Sequence, residues 1–171
     1  MSDTTEPLPT ALPGVTAIGP GAAHDDTITL DYDARFVRRK RLVSDGGRAF
    51  LIDLPQARAL ADGEVLSLSD GSAVAVCAAP EPLLEVRGDL PRLAWHIGNR
   101  HTPCRIEDGR LLIRADPVLA DMLARLGASV APLEAPFVPE GGAYGHGRTF
   151  GHAHGPADHA HTQTRDHDHD G

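Results

Sequence analysis

The chain has 171 residues, a formal net charge of −8, 41% hydrophobic residues and two cysteines. That length suits one or two small domains. No apolar run approaches the roughly 18 residues of a membrane span, no segment is net basic as a nucleic-acid binder would be, two cysteines make no disulfide scaffold, and the polar, acidic N-terminus lacks the basic start and apolar stretch of a signal peptide, so a reducing cytoplasmic location is expected.

Residues 1–25 hold four prolines and little periodicity, so a disordered or loosely attached segment is expected there. Residues 26–80 read as a small all-β domain. Thr27-Ile28-Thr29-Leu30 alternates, and Asp45-Gly46-Gly47 is a hairpin signal between Arg38–Val43 and Ala49–Ile52. Asp62-Gly63 and Asp70-Gly71 bracket two more strands, Val65–Leu68 and Ala73–Cys77. Cys77 closes that last alternation and reads as a small buried hydrophobe. Arg35, Arg38, Arg39, Lys40 and Arg41 form a basic run. A solvated strand face is the plainer reading of such a run, and a docking patch for an acidic partner protein is the functional one.

Pro80-Glu81-Pro82 marks a boundary, after which the pattern changes. Residues 81–140 run strand (Leu83–Val86), helix, two strands around Asp108-Gly109, helix, and a final extended segment from Val130 to Phe137. The first helix starts at an Asp89 cap, carries the stripe Leu90, Leu93, Ala94 and Ile97, and is expected to stop at Gly98. The second has Asp116 as cap, Pro117 at its first position, an apolar face of Leu119, Met122, Leu123 and Leu126, and Gly127 as its stop. The order βαββαβ is the ferredoxin-like arrangement. The fold class is therefore α+β, with a β domain, a ferredoxin-like domain and a His-rich tail.

The chemistry-bearing residues cluster. His96 and His101 flank Gly98, and Pro103 follows as a second breaker, so His101 is expected on a turn just past a helix end. It either bonds locally to the helix carbonyls or meets a partner or a metal. From Gly141 onward come His146, His152, His154, His159, His161, His167 and His169, seven of the ten histidines. His-rich tracts bind metal, and the three His-x-His pairs favour that reading over a solvated tail without a role. The segment 141–171 is expected to be flexible, with no apolar periodicity. Ordering it around an ion costs about 1–2 kcal/mol per residue fixed, so its sites are expected to be several and weak. Imidazole donors suit Ni²⁺, Zn²⁺ and Cu²⁺, and affinity alone would choose copper.

His96-Ile97-Gly98-Asn99-Arg100-His101-Thr102-Pro103, followed by Pro136-Phe137-Val138-Pro139-Glu140-Gly141-Gly142-Ala143-Tyr144-Gly145 and a His-rich end, resembles the UreE family. These are nickel metallochaperones of urease maturation. The likeness spans roughly residues 27–155. It implies a cytoplasmic homodimer with no catalytic role, and His101 as the metal ligand at the dimer interface. It also implies delivery of Ni²⁺ towards the urease apoprotein complex through the accessory GTPase (UreG). One lone donor is too few for a borderline metal, and a two-fold axis beside His101 would supply its twin. Some family members carry further histidines before the second helix. Here Ile113-Arg114-Ala115-Asp116-Pro117 has none, so extra capacity would fall to the tail. His96, off the buried stripe, reads as a surface residue, and Cys104 as packing rather than ligand. Two rivals stand beside this reading. One is a nickel or zinc storage or buffering protein. The other is a metal-dependent hydrolase, which lacks any Asp or Glu beside His96 and His101 to act as base.

Overall fold

The structure is a computed structural model and describes residues 11–141. Six strands come first: β1 (Val15–Pro20), β2 (Asp26–Leu30), β3 (Phe36–Val43), β4 (Ala49–Ala59), β5 (Glu64–Leu68) and β6 (Ala73–Ala78). One sheet has the order β1-β5-β6-β2, and β3 and β4 form a separate hairpin. Their apolar faces meet in one core that includes Ile28, Leu42, Phe50, Ile52, Leu66 and Val76. Period-2 alternation explains this: β4 buries Phe50 and Ile52 and leaves Leu51 exposed between them. The β3–β4 turn needs Gly47 at φ +89°, a conformation open to glycine at no steric cost.

Expectations for two strands of this half are corrected. Residues 15–20 are not a loose segment but strand β1, paired antiparallel with β5, with Val15 and Ile18 packed on the core. The prolines there bracket the strand, and only Pro20 lies in it, as its last residue. A missing N–H is harmless at a strand end. Strand β4 also runs past Ile52 to Ala59. Its register with β3 jumps from Arg39↔Asp53 to Val37↔Arg58. Pro55 therefore sits where the ladder is already broken.

The second half has β7 (Pro80–Arg87), α1 (Leu90–Asn99), β8 (Arg105–Glu107), β9 (Arg110–Arg114), α2 (Pro117–Arg125) and β10 (Ser129–Pro136). The all-antiparallel sheet β10-β7-β9-β8 carries the ferredoxin-like βαββαβ order. Strand β7 begins at Pro80 itself. Pro82 accepts from the Ala115 N–H at 3.0 Å, so its missing donor faces the β9 side, beyond the end of the β9 ladder at Leu83↔Arg114. The helices cover one face over Val86, Leu93, Ile97, Leu111, Ile113 and Leu123. Fully burying each such side chain contributes about 1.5–3 kcal/mol. Both expected N-caps form: Asp89 accepts from the Arg92 N–H, and Asp116 from the Val118 and Leu119 N–H groups.

The other sheet face meets the β domain. Leu83, Leu112 and Phe137 pack with Tyr32. Tyr32 N–H donates to Glu81 at 2.8 Å, and Arg114 pairs with Asp33 at 2.6 Å. Arg35 does not belong to a solvated face: it is 4% exposed and donates to the carbonyls of Leu30 and Phe137. Burial pulls its pKa down, while Glu81, Asp62 and Asp31 hold the charge. A buried guanidinium stays protonated and must be satisfied in this way. No helix among the described residues is long and apolar enough to cross a membrane.

Candidate metal centre

The end of α1 builds the site. The helix does not stop at Gly98 but runs through it to Asn99, with Arg100 as C-cap. His101 N–H donates to Gly98 O at 2.9 Å and Thr102 N–H to Ile97 O at 3.4 Å. This is the Schellman pattern, and its left-handed position falls on His101, φ +53°. Among the described residues His101 alone has a positive φ without being glycine. That conformation costs a non-glycine residue about 1–2 kcal/mol, and strain of this kind clusters at functional turns.

The result is an exposed imidazole on the rim of a cavity of about 490 Å³. The cavity lies between the 101–103 turn, the end of β9 and the start of α2; its walls include Pro82, Pro103, Arg114, Asp116 and Leu119. Gly98, one turn back on the exposed side of α1, has open space where a Cβ would stand. Trp95, three residues earlier, is 64% exposed. Spacing of three puts the two on one face of the helix.

The remaining candidates are placed as follows. His96 is half-buried, its ring edge against Trp95 with centroids 5.0 Å apart, and it does not line the cavity. Cys104 is half-buried, and burial together with nearby Glu140 pushes its thiol up to about 11. It stays protonated at neutral pH, whereas metal ligation needs the thiolate. His146, His152, His154, His159, His161, His167 and His169 lie outside the described residues. Among the described residues no group of three or more His, Cys, Asp or Glu could hold an ion. His101 in one chain is thus a donor without a completed shell.

What sequence reading missed is the chain's exit. After β10 it passes Phe137, and Glu140 N–H donates to Cys104 O at 2.8 Å. The described chain therefore ends at Gly141 beside the turn that carries His101. The cavity was missed too, because its walls come from three separated segments. The β3 cations lie on a solvated strand face, as expected for Arg38, Arg39, Lys40 and Arg41: all four are exposed, and Arg39 pairs with Asp53 at 2.8 Å.

Comparison with known proteins agrees with this architecture. Residues 10–79 match the family profile described as UreE urease accessory protein, N-terminal domain, and residues 81–169 match its C-terminal domain. The urease accessory protein UreE of Ruegeria pomeroyi is 58% identical over 131 residues, covering 76% of this chain and 88% of its own length. That of Rhodobacter capsulatus is 60% identical over 136 residues, 80% and 86% of the two chains. That of Paracoccus denitrificans is 60% identical over 125 residues, 73% and 80%. With both halves matched and relatives this similar, the chain belongs to the UreE family of urease accessory proteins.

Proposed function

We propose that this protein is a cytoplasmic nickel metallochaperone that binds Ni²⁺ and delivers it for assembly of the urease active site. The observation that carries the reading is His101. It is a strained, exposed imidazole held at a fixed place by a folded turn, in a chain whose next segment is rich in histidine. Two copies related by a two-fold axis beside His101 would present two preset imidazoles. The open space at Gly98 and the exposed indole of Trp95 favour close approach of a second copy there. The exit at Gly141 supports tail histidines as further donors, since Glu140 is tied to the 101–104 turn. The same donors take Zn²⁺ and Cu²⁺, so preference for nickel rests on family membership. Handover runs, on this reading, through the accessory GTPase (UreG) to the urease apoprotein complex.

The rival is a storage or buffering protein, which needs the tail but not His101. The two separate in one assay. Nickel-loaded protein and its His101→Ala variant are added to apo-urease with its accessory proteins, and urease activation is followed. The chaperone reading expects His101→Ala to impair activation more than removal of the tail does. Equal activation by wild type and His101→Ala supports the buffer. Light scattering adds a second check: the metal-free protein should already be a dimer, and a monomer with and without Ni²⁺ removes the shared-ion site.

A further inference from the structure

The strap from Phe137 to Glu140 is fastened at both ends, and one fastening comes from the other half of the molecule. Phe137 follows β10 and is fully buried. The Tyr32 ring meets its ring edge-on, with centroids 5.4 Å apart. Arg35 donates to the Phe137 carbonyl through Nη2 and to the Leu30 carbonyl through Nη1 at 3.1 Å, with its guanidinium 5.9 Å from the Tyr32 ring centroid. The backbone of Arg35 is fixed as well: its N–H donates to Asp31 O at 3.0 Å, and its carbonyl accepts from Leu60 N–H at 2.8 Å. A planar fork can hold two carbonyls at once, which a lysine ammonium cannot do in the same geometry. At the far end of the strap, Glu140 N–H donates to Cys104 O at 2.8 Å.

Cys104 closes the turn that carries His101. Behind His101 the turn is held by α1, through the bonds to Gly98 O and Ile97 O. Ahead of it, the bond from Glu140 holds the Cys104 end. A non-glycine residue at positive φ persists only where its surroundings over-determine it, so a turn strained at His101 calls for both pins. The strap between the two fastenings is short and stiff. Phe137 to Glu140 spans at most about 10–11 Å. Pro139 fixes its own φ and restricts Val138 before it to extended backbone. We propose that Arg35, in the β domain, is a positioning residue for the site at His101: through Phe137 and the strap it holds the Cys104 end of the turn, and with it the imidazole. This rests on the reading of His101 as ligand. It gives the β domain a part in metal binding without giving it a donor.

The test uses the full chain, first metal-free and then titrated with Ni²⁺ alone. Arg35→Met removes the fork and keeps its place filled. In the metal-free protein it should speed hydrogen exchange of the Glu140 amide about tenfold relative to amides of the β7–β9 ladder, whereas a merely structural role would speed both alike through global unfolding. In titration it should weaken the tight Ni²⁺ class about fivefold with the number of ions unchanged, because part of the turn must then be ordered on binding. Pro139→Gly leaves Arg35 and both fastenings in place and should weaken that class by a smaller factor. Combined with Arg35→Met, the two factors should fall short of their product, since both act on one strap; factors that multiply in full would overturn the proposal. Asp33→Asn removes a charge from the Asp33–Arg114 pair, another link between the halves, and should leave Glu140 exchange unchanged. An equal rise there would assign the effect to the joint as a whole and not to Arg35. Where Arg35→Met does not fold, Arg35→Lys keeps the buried charge without the fork and should show the same changes, reduced. Glu140 exchange that merely follows the ladder in the folded Arg35 variant would sink the proposal, and so would a tight class unchanged in that variant while His101→Ala abolishes it. If His101→Ala leaves the tight class intact, the reading of His101 fails, and Glu140 exchange still shows separately whether Arg35 holds the strap.

Discussion

The two helices of the ferredoxin-like half end in the same hydrogen-bond pattern with different residues at its key position. At α2, Gly127 N–H donates to Ala124 O and Ala128 N–H to Leu123 O, both at 3.0 Å, with Gly127 at φ +84°. At α1 the matching bonds run to Gly98 O and Ile97 O, with His101 at φ +53°. Glycine enters that region freely and a side-chain-bearing residue does not. The α2 end therefore shows what folding alone asks for. The α1 end departs from it, and what it gains is an imidazole fixed on an exposed rim. On the reading of His101 as a metal ligand, the backbone strain there is the cost of holding that side chain in place.

That contrast can be broken by exchange. His101→Gly should abolish the tight Ni²⁺ class, the largest effect expected, and at the same time raise thermal stability by about 0.5–1 kcal/mol as the strain is relieved. A variant that lost stability would show that His101 makes structural contacts that matter more than its backbone strain. The mirror change, Gly127→Ala, should cost about 1 kcal/mol and leave nickel binding untouched, as read by chemical denaturation and titration. Gly98→Ala sharpens the comparison further. Its Cβ meets nothing within 4 Å, so within one chain the helix should gain up to about 1 kcal/mol. If a second copy packs against that spot, dimerisation measured by dilution should weaken all the same.

A smaller effect in the β domain is read by pH. In the β domain, Asp45 accepts from the Thr27 and Thr29 hydroxyls and Asp26 from Ser44, and these bonds hold both carboxyls below the usual carboxylate range. A folded pKa below the unfolded one gives stability that is present above the unfolded value, about 3.9, and lost as pH falls through the folded value. Acid should therefore loosen the β2/β3–β4 region. Replacing Thr27 and Thr29 by Val should bring the folded Asp45 pKa back towards the unfolded value and so shrink that acid-dependent loss, and an unchanged acid limb would contradict the assignment.

Most of this fold was legible because it obeys simple periods. The stripe of α1, the Asp89 and Asp116 caps and the Asp108-Gly109 turn are local signals, and local signals survive into the structure. The failures have physical causes. Strand β1 was hidden by prolines that prove to sit at its ends. Arg35 was camouflaged by the cations after it, and only the position of Phe137, far away in sequence, makes it a buried joint. Gly98 drew the helix stop because glycine usually takes that place, while His101 took it instead. The candidate metal site was legible as residue types but not as geometry. Its cavity and the exit at Gly141 depend on contacts between segments that no window of sequence contains.

The central claim is that His101 forms a tight site distinct from the tail. Calorimetric Ni²⁺ titration of the full chain, of a chain ending at Gly145 and of His101→Ala tests it most directly. The account predicts one tight ion per dimer plus several weaker ones for the full chain, fewer ions but residual binding at His101 for the shortened chain, and weak sites alone for His101→Ala. A tight class that survives His101→Ala and disappears with the residues after Gly145 would contradict it.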